Sequence, residues 1–397
     1  MSDLDRLIEE LCPDGVEFVK LGNCCKFKRG TTITKSIITS GEIPVVAGGQ
    51  KPAYYHNEPN RTGESITISS SGAYAGFVMY WDQPIFVSDA FTVEPNEKLL
   101  SKYVYYFLTD KQEIIHSSKK GGGVPHVHGS DIAPLIIPLP PLPIQREIVR
   151  ILDNFTELTA ELTAELTAEL TARKKQYEHY RDALFNENYL LKFENVSEVK
   201  RVPLSDVGTF IRGRRFVKTD MVNEGTPCIH YGELYTHYGV WAKQAKSYIS
   251  PELAAKLRFA RTGNVVIVAA GETIEDIGKG VAWLSDSDVV VHDACYIFEH
   301  NLEPKYVSYF LRTKIFHSQI KRYISSGKIS SISTDGLGKA LIPVPSIEVQ
   351  KKIVSILDRF DALCNDLTSG IPAEIEARRK QYEYYRDKLL TFKEASA

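Results

Sequence analysis

The chain has 397 residues, 43% of them hydrophobic and 25% charged, which is enough for two or three domains with ample core. The longest apolar run, residues 134–144, is too short and too rich in proline to span a membrane, and the opening residues are acidic rather than signal-like, so a cytoplasmic location is expected. A net charge of −2 excludes a globally basic nucleic-acid binder, and any such contact must rest on local basic patches or on a partner that carries the positive field.

Residues 1–142 hold short β-rich runs such as 65–69 (SITIS) and 85–93, punctuated by Gly, Asn and Pro, with one aromatic helix-like stretch at 102–108. Two basic clusters stand out: Lys26, Lys28 and Arg29, and a loop carrying Lys119, Lys120, Gly121, Gly122 and Gly123, followed by His126 and His128. Glycine lets a backbone approach phosphates closely, and Lys, Arg and His donate to phosphates or to guanine edges. For any single residue a solvated charged loop is an equal alternative, so the clusters carry more weight than their members. His126 and His128 lie two apart with no acidic or Cys partner close in sequence, and no metal is assigned to them. The six cysteines (Cys12, Cys24, Cys25, Cys228, Cys295, Cys364) show no CxxC or zinc spacing and read as reduced thiols.

The stretch from 143 to 190 is read as one long helix. Residues 159–170 are three copies of TAEL, which put Leu158, Leu162, Leu166 and Leu170 on one slowly drifting stripe. The stripe runs back through Ile148, Leu152 and Phe155 and forward through Tyr177, Tyr180 and Leu184. A long helix with a narrow apolar seam needs a partner helix.

The chain supplies one. Residues 191–345 repeat the plan of the first domain: TFIRG at 209 answers KFKRG at 26, Asp293-Ala294 answers Asp89-Ala90, and KYVSYFL at 305 answers KYVYYFL at 102. Residues 346–397 then repeat the helix at a constant offset of 205, with Gln350 for Gln145, Phe360 for Phe155 and Tyr385 for Tyr180. The disagreement is Ser369-Gly370-Ile371-Pro372, which predicts a break. Basic candidates in the second domain are Arg212, Arg214, Arg215 and Lys218, with Lys328, Ser330 and Ser331 beside Gly327. Tyr74, Tyr231, Tyr235 and Tyr238 read as stacking residues or, more simply, as core.

The paired IPLP and IPVP entries, the QREIVRILD and QKKIVSILD helix starts, the TAEL array and the RKKQYEHYRD and RRKQYEYYRD endings resemble the DNA specificity subunit of type I restriction-modification enzymes. The resemblance covers essentially the whole chain. It implies an α+β fold in which two similar β-rich target recognition domains are separated by two long antiparallel helices with an internal pseudo-twofold. Each domain would read one half of a bipartite DNA site, and the helices would set the gap and dock two modification (methyltransferase) subunits. Arg173, Lys174, Tyr177, Tyr180, Arg378, Arg379, Tyr382 and Tyr385 are the docking candidates. Restriction (motor and nuclease) subunits would join through the complex. S-adenosylmethionine, ATP and Mg would sit on those partners, with no cofactor on this chain.

The residues agree with a non-catalytic role. There is no GxxxxGK[ST] loop, no GxGxxG after a strand, and no Asn-Pro-Pro or Asp-Pro-Pro motif of an amino-methyltransferase. Two alternatives stand beside this reading: a coiled-coil scaffold without DNA contact, and a stand-alone restriction or modification enzyme, which the missing motifs disfavour.

Overall fold

A computed structural model describes residues 3–33, 39–121, 123–194, 199–327, 329–366 and 368–395. The uninterrupted TAEL region lies in helix α1, Leu142–Leu184, as its run of strong helix formers requires. The second helical stretch is two helices, α2 at Ile347–Asn365 and α3 at Ile371–Leu389. The predicted break is therefore present, and its chemistry is local. The Gly370 N–H donates to the Asp366 carbonyl at 3.1 Å. A Cβ on Gly370 would stand 2.6 Å from the Ala362 carbonyl oxygen, so no larger residue passes there without displacing the helix end. The Thr368 and Ser369 hydroxyls donate to the Asp366 carboxylate and hold its pKa down at about 2. Among the described residues no helix is long and apolar enough to cross a membrane.

The chain divides into two compact units, Met1–Leu166 with Ile375–Ala397, and Thr167–Glu374. In the first, an antiparallel sheet runs in the order Cys25–Arg29, Ala90–Pro95, Ser65–Ser69, Val78–Trp81. Ser65–Ser69 is buried along its whole length, because helix Ser101–Asp110 packs against this sheet. In the second unit the corresponding sheet runs Gly208–Arg212, Cys295–His300, Val265–Val268, Gly280–Trp283, Trp241–Ala242, with helix Pro304–Phe310 against it. Among the described residues, a further five-stranded sheet there is answered in the first unit by three strands (Tyr54–His56, Ile43–Val46, Phe86–Val87). The extra strands are the insertions by which the second domain outgrows the first.

The repeated KYVxYF segment shows its purpose in each unit. Lys102 Nζ and Tyr106 Oη both donate to the Asp153 carboxylate on α1, at 2.7 Å each. Lys305 Nζ and Tyr309 Oη donate to the Asp358 carboxylate on α2 at the same two distances. Beside each clamp a buried glutamine is satisfied by backbone: Gln145 Oε1 accepts from Leu100 N–H and its Nε2 donates to the Lys98 and Pro140 carbonyls. Gln350 likewise accepts from Glu303 N–H and donates to the Pro345 carbonyl. A buried amide with all its partners is stabilising only in this geometry, so each glutamine fixes where its domain sits on its helix.

Within each unit the helices run antiparallel. In the first, Phe155 meets Tyr385 while Leu162 and Arg378 border one groove, so residue numbers rise on α1 as they fall on α3. In the second, Tyr180 of α1 stacks on Phe360 of α2 at 5.3 Å. The N- and C-terminal segments also meet inside the first unit, where Val16 N–H donates to the Lys393 carbonyl at 2.9 Å and Ala395 N–H to the Val16 carbonyl at 3.0 Å. Gly15 makes this possible with a φ of +107° and a Cβ position only 2.5 Å from the Lys393 oxygen.

Candidate nucleic-acid interface

In the first domain, strand Cys25–Arg29 is aligned against Ala90–Pro95, with Arg29 opposite Phe91. At its end Gly30 crosses the chain so closely that a Cβ would lie 2.3 Å from the Ser88 carbonyl oxygen. This crossing brings Arg29 and Asp89 to one cavity of about 420 Å3, also lined by Ser70, His126, His128 and Ser130. The histidines arrive because the segment after the glycine loop is stitched to the sheet: Val127 N–H donates to the Ser70 carbonyl and Gly72 N–H to the Pro125 carbonyl, both at 3.0 Å. Their rings stack 6.2 Å apart, and among the described residues no group of three or more His, Cys or carboxylate side chains suited to a metal is formed.

The remaining candidates of this domain have differing freedom. Lys26, Lys28 and Arg29 are exposed. Lys120 Nζ is held at 2.5 Å by Asp131, whose carboxyl is kept below the usual range by that lysine, and Lys119 Nζ donates to the Ala73 carbonyl at 3.1 Å. Gly122 lies outside the described residues.

The second domain builds a related cavity of about 450 Å3. Gly213 crosses at the matching place, with a Cβ position 2.2 Å from the His292 carbonyl oxygen. Arg215, Lys218, His230, Glu272, His292 and Asp293 border the cavity. The His230 and His292 rings lie 4.6 Å apart. Burial pushes both pKa values down, and the neighbouring His292 lowers His230 further, so both rings are neutral at pH 7. Arg212 and Arg214 are partly committed to the scaffold, donating to the Asp293 and Lys256 carbonyls at 2.9 and 2.7 Å. Ser330 is a correction: it sits on strand Ser330–Ile332 only 3% exposed, so its side chain has no surface to offer DNA, while neighbouring Ser331 is half-buried. Lys328 lies outside the described residues.

In the sequence, Asp89-Ala90 and Asp293-Ala294 pair only as framework. The structure places both carboxylates in the cavities, a position that the glycine spacing before them announces only once the strand register is known.

Comparison with known proteins decides the family. A family model described as the type I restriction modification DNA specificity domain matches residues 13–172 and 196–377. The chain belongs to this family. A Haemophilus influenzae protein described as a type I restriction enzyme specificity subunit is 32% identical, with 91% of each chain covered. The specificity subunit of the Escherichia coli type I restriction enzyme EcoR124I/EcoR124II is 30% identical over 99% of this chain and 97% of that one. Two solved structures share the fold at 18% identity. One, from work on complex assembly and conformational transition of the type I restriction-modification system, has a TM-score of 0.66, with 96% and 98% of the two chains covered. The other, the HsdS subunit from Thermoanaerobacter tengcongensis, has a TM-score of 0.52 and coverage of 96% and 97%. Specificity subunits are non-catalytic members of a complex whose catalytic activities reside on other subunits.

The docking candidates of this specificity subunit divide by burial. Tyr177 is 6% exposed, packed in the core of the second unit, so it holds the chain together rather than awaiting a partner. Tyr180 is half-buried on Phe360, and Tyr382 is half-buried with its hydroxyl 3.0 Å from that of Thr156. Arg173 is braced by Glu169 and Gln176, and Arg379 by Glu376, while Lys174 is exposed. Arg378 reaches Gln381 at 3.2 Å. Tyr385 is exposed beside Tyr384, which at 62% is the more open of the two and which the helix pattern alone did not single out.

Proposed function

We propose that this specificity subunit reads a bipartite DNA sequence, each recognition domain contacting one half through the surface around its cavity, while the helices set the gap and dock two methyltransferase subunits. The restriction subunits join through that complex, which works in the cytoplasm and carries S-adenosylmethionine, ATP and Mg on the partners. The observation that carries the reading is the occurrence of the same arrangement twice: a basic strand end, a glycine crossing and an acid-bearing cavity, each clamped to a helix by Lys, Tyr and Asp. The cavities share framework and differ in lining, His126, His128 and Ser130 in one and Arg215, Lys218 and the histidine pair in the other, which is what two different half-sites require.

Selection of bound duplexes from a random library, with the chain alone and with methyltransferase subunits, tests this. The expected result is enrichment of two short motifs at a fixed separation, strengthened by the partners. Binding without sequence preference contradicts this reading, and absence of any binding with or without partners supports the scaffold role instead.

A further inference from the structure

Both cavities hold an acid at the same place in the fold, Asp89 and Asp293, and the second is bordered by Glu272 as well. Their surroundings have diverged. In the first domain the Ser71 hydroxyl donates to the Asp89 carboxylate. The residue at the matching position of the second domain is Ala270, one step before Gly271 as Ser71 is before Gly72, and an alanine has no proton to give. His292 Nδ1 lies 3.1 Å from Asp293 Oδ1, but that nitrogen already accepts from Ala294 N–H at 3.0 Å and the ring is neutral, so it supplies no hydrogen bond to the acid. A carboxylate needed only to close the turn would have kept its donor. Here the acid is kept and the donor is not.

The setting makes an unneeded acid costly. Arg29 borders the first cavity and Arg215 and Lys218 the second, on surfaces that meet phosphates if they meet DNA at all, and a carboxylate there is repelled by the duplex unless a donor meets it. In the major groove guanine offers acceptors at N7 and O6, and thymine an acceptor and a methyl group. Donors come only from cytosine N4 and adenine N6. An arginine beside the acid completes the pattern, since it answers the acceptors that flank such an amine.

We propose that Asp89 and Asp293 are specificity-determining residues, each accepting a hydrogen bond from the exocyclic amine of a cytosine or adenine and so fixing one position in the half-site that its domain reads. This rests on the bipartite reading given above. Asp89 acts on one half-site and Asp293 on the other, and neither contributes to affinity for DNA at large, because each adds negative charge.

The test uses the full chain assembled with its methyltransferase subunits. Asp89→Ala and Asp293→Ala are compared with wild type by methylation mapping and by competition between duplexes. Each is expected to relax a single position, in opposite half-sites, with discrimination there falling roughly tenfold to a hundredfold and affinity for unrelated DNA unchanged or raised. A second measurement avoids mutation: wild-type complex is titrated with duplexes in which the cytosine N4 or adenine N6 amine is deleted one base at a time. One sensitive position per half-site is expected, insensitive in the corresponding alanine variant, and the base at which it falls separates cytosine from adenine. Unchanged discrimination at every position, or an equal loss of binding to all sequences, overturns the proposal. Absence of any two-part motif in the wild type instead overturns the reading on which it rests.

Discussion

Phe155 packs edge-on against Tyr385, ring centroids 5.8 Å apart, and the residues 205 positions from each, Phe360 and Tyr180, pack against one another in the second unit at 5.3 Å. The pair is thus exchanged with itself by the internal repeat. An aromatic on one helix meets its partner's twin, and the same two sequence signals build both contacts. All four rings are at least partly exposed, so Phe155→Ala or Phe360→Ala is expected to cost about 2 kcal/mol, less than the roughly 3–5 kcal/mol of a fully buried phenylalanine. Urea titration of each variant measures it.

The clamps are expected to matter more than their surface position suggests. Asp358→Ala strands the hydroxyl of Tyr309, which is fully buried, whereas Asp153→Ala leaves the Tyr106 hydroxyl its 3.4 Å contact with Thr156 Oγ1. An unsatisfied buried hydroxyl costs about 1–3 kcal/mol. A matching Tyr309→Phe change in the Asp358→Ala background is expected to recover part of that loss. A loss of the same size with Tyr309→Phe present would show that the hydroxyl is not the cause.

Acid should weaken the fold through histidine burial. Burial pushes the His300 pKa down to about 4, and its Nε2 is without a hydrogen-bond partner, while Nδ1 accepts from Leu302 N–H. Unfolded, the same ring titrates near 6.5. Between those values the unfolded chain binds the extra proton, so stability is complete above about pH 6.5 and is lost as pH falls toward 4, by on the order of 3 kcal/mol for this group. His230, His292 and His317 are lowered in the same direction and add to the slope. His300→Gln is expected to flatten the dependence of urea midpoint on pH between 6.5 and 4. An unaltered slope would place the effect on the other three rings.

Much of this architecture was legible in the sequence because helices repeat visibly. The 205-residue offset located α1, the α2–α3 pair, the break at Gly370 and the glutamines Gln145 and Gln350. The β-rich domains were legible only as framework, since short strands take their meaning from partners distant in the chain: Lys28 and Thr92 become neighbours by register, not by spacing. The same limit hid the cavities. Basic residues advertise themselves by charge, whereas Asp89 and Asp293 acquire their position from glycine crossings 59 and 80 residues earlier, at Gly30 and Gly213. Burial also sorted what charge and aromaticity could not, removing Ser330 and Tyr177 from the exposed set and adding Tyr384.

An open apolar groove of about 210 Å3 lies in the first unit among Phe155, Leu158, Leu162, Tyr382 and Tyr385, with Leu158 61% exposed. Apolar surface of this kind left open favours association, so the isolated chain is expected to aggregate and to be rescued by methyltransferase subunits. Leu158→Gln should raise the solubility of the free chain and weaken its pull-down of the methyltransferase. Light scattering and co-purification check the two halves of that statement, and a variant with undiminished partner binding would remove this groove from the docking surface.

Deleting Thr163, Ala164, Glu165 and Leu166 removes one TAEL unit from α1. Four residues shorten a helix by about 6 Å and turn it about 400°, a net 40°. One base pair turns B-DNA about 34–36°. Because the seam has a period of four, the helices can pack again with their leucines in line. The deletion is expected to leave both half-sites intact and bring them one base pair closer. An unchanged gap, or an altered half-site, would show that the repeat is not the ruler.

The central claim, that one chain reads two separated half-sites, is tested most directly by sequencing the methylome of cells that express the chain with its methyltransferase subunits. The result expected is a single motif of two specific parts, separated by a gap of constant length and arbitrary sequence, with every methylated base inside one part or the other. A continuous motif, or methylation that follows either part alone, would contradict it.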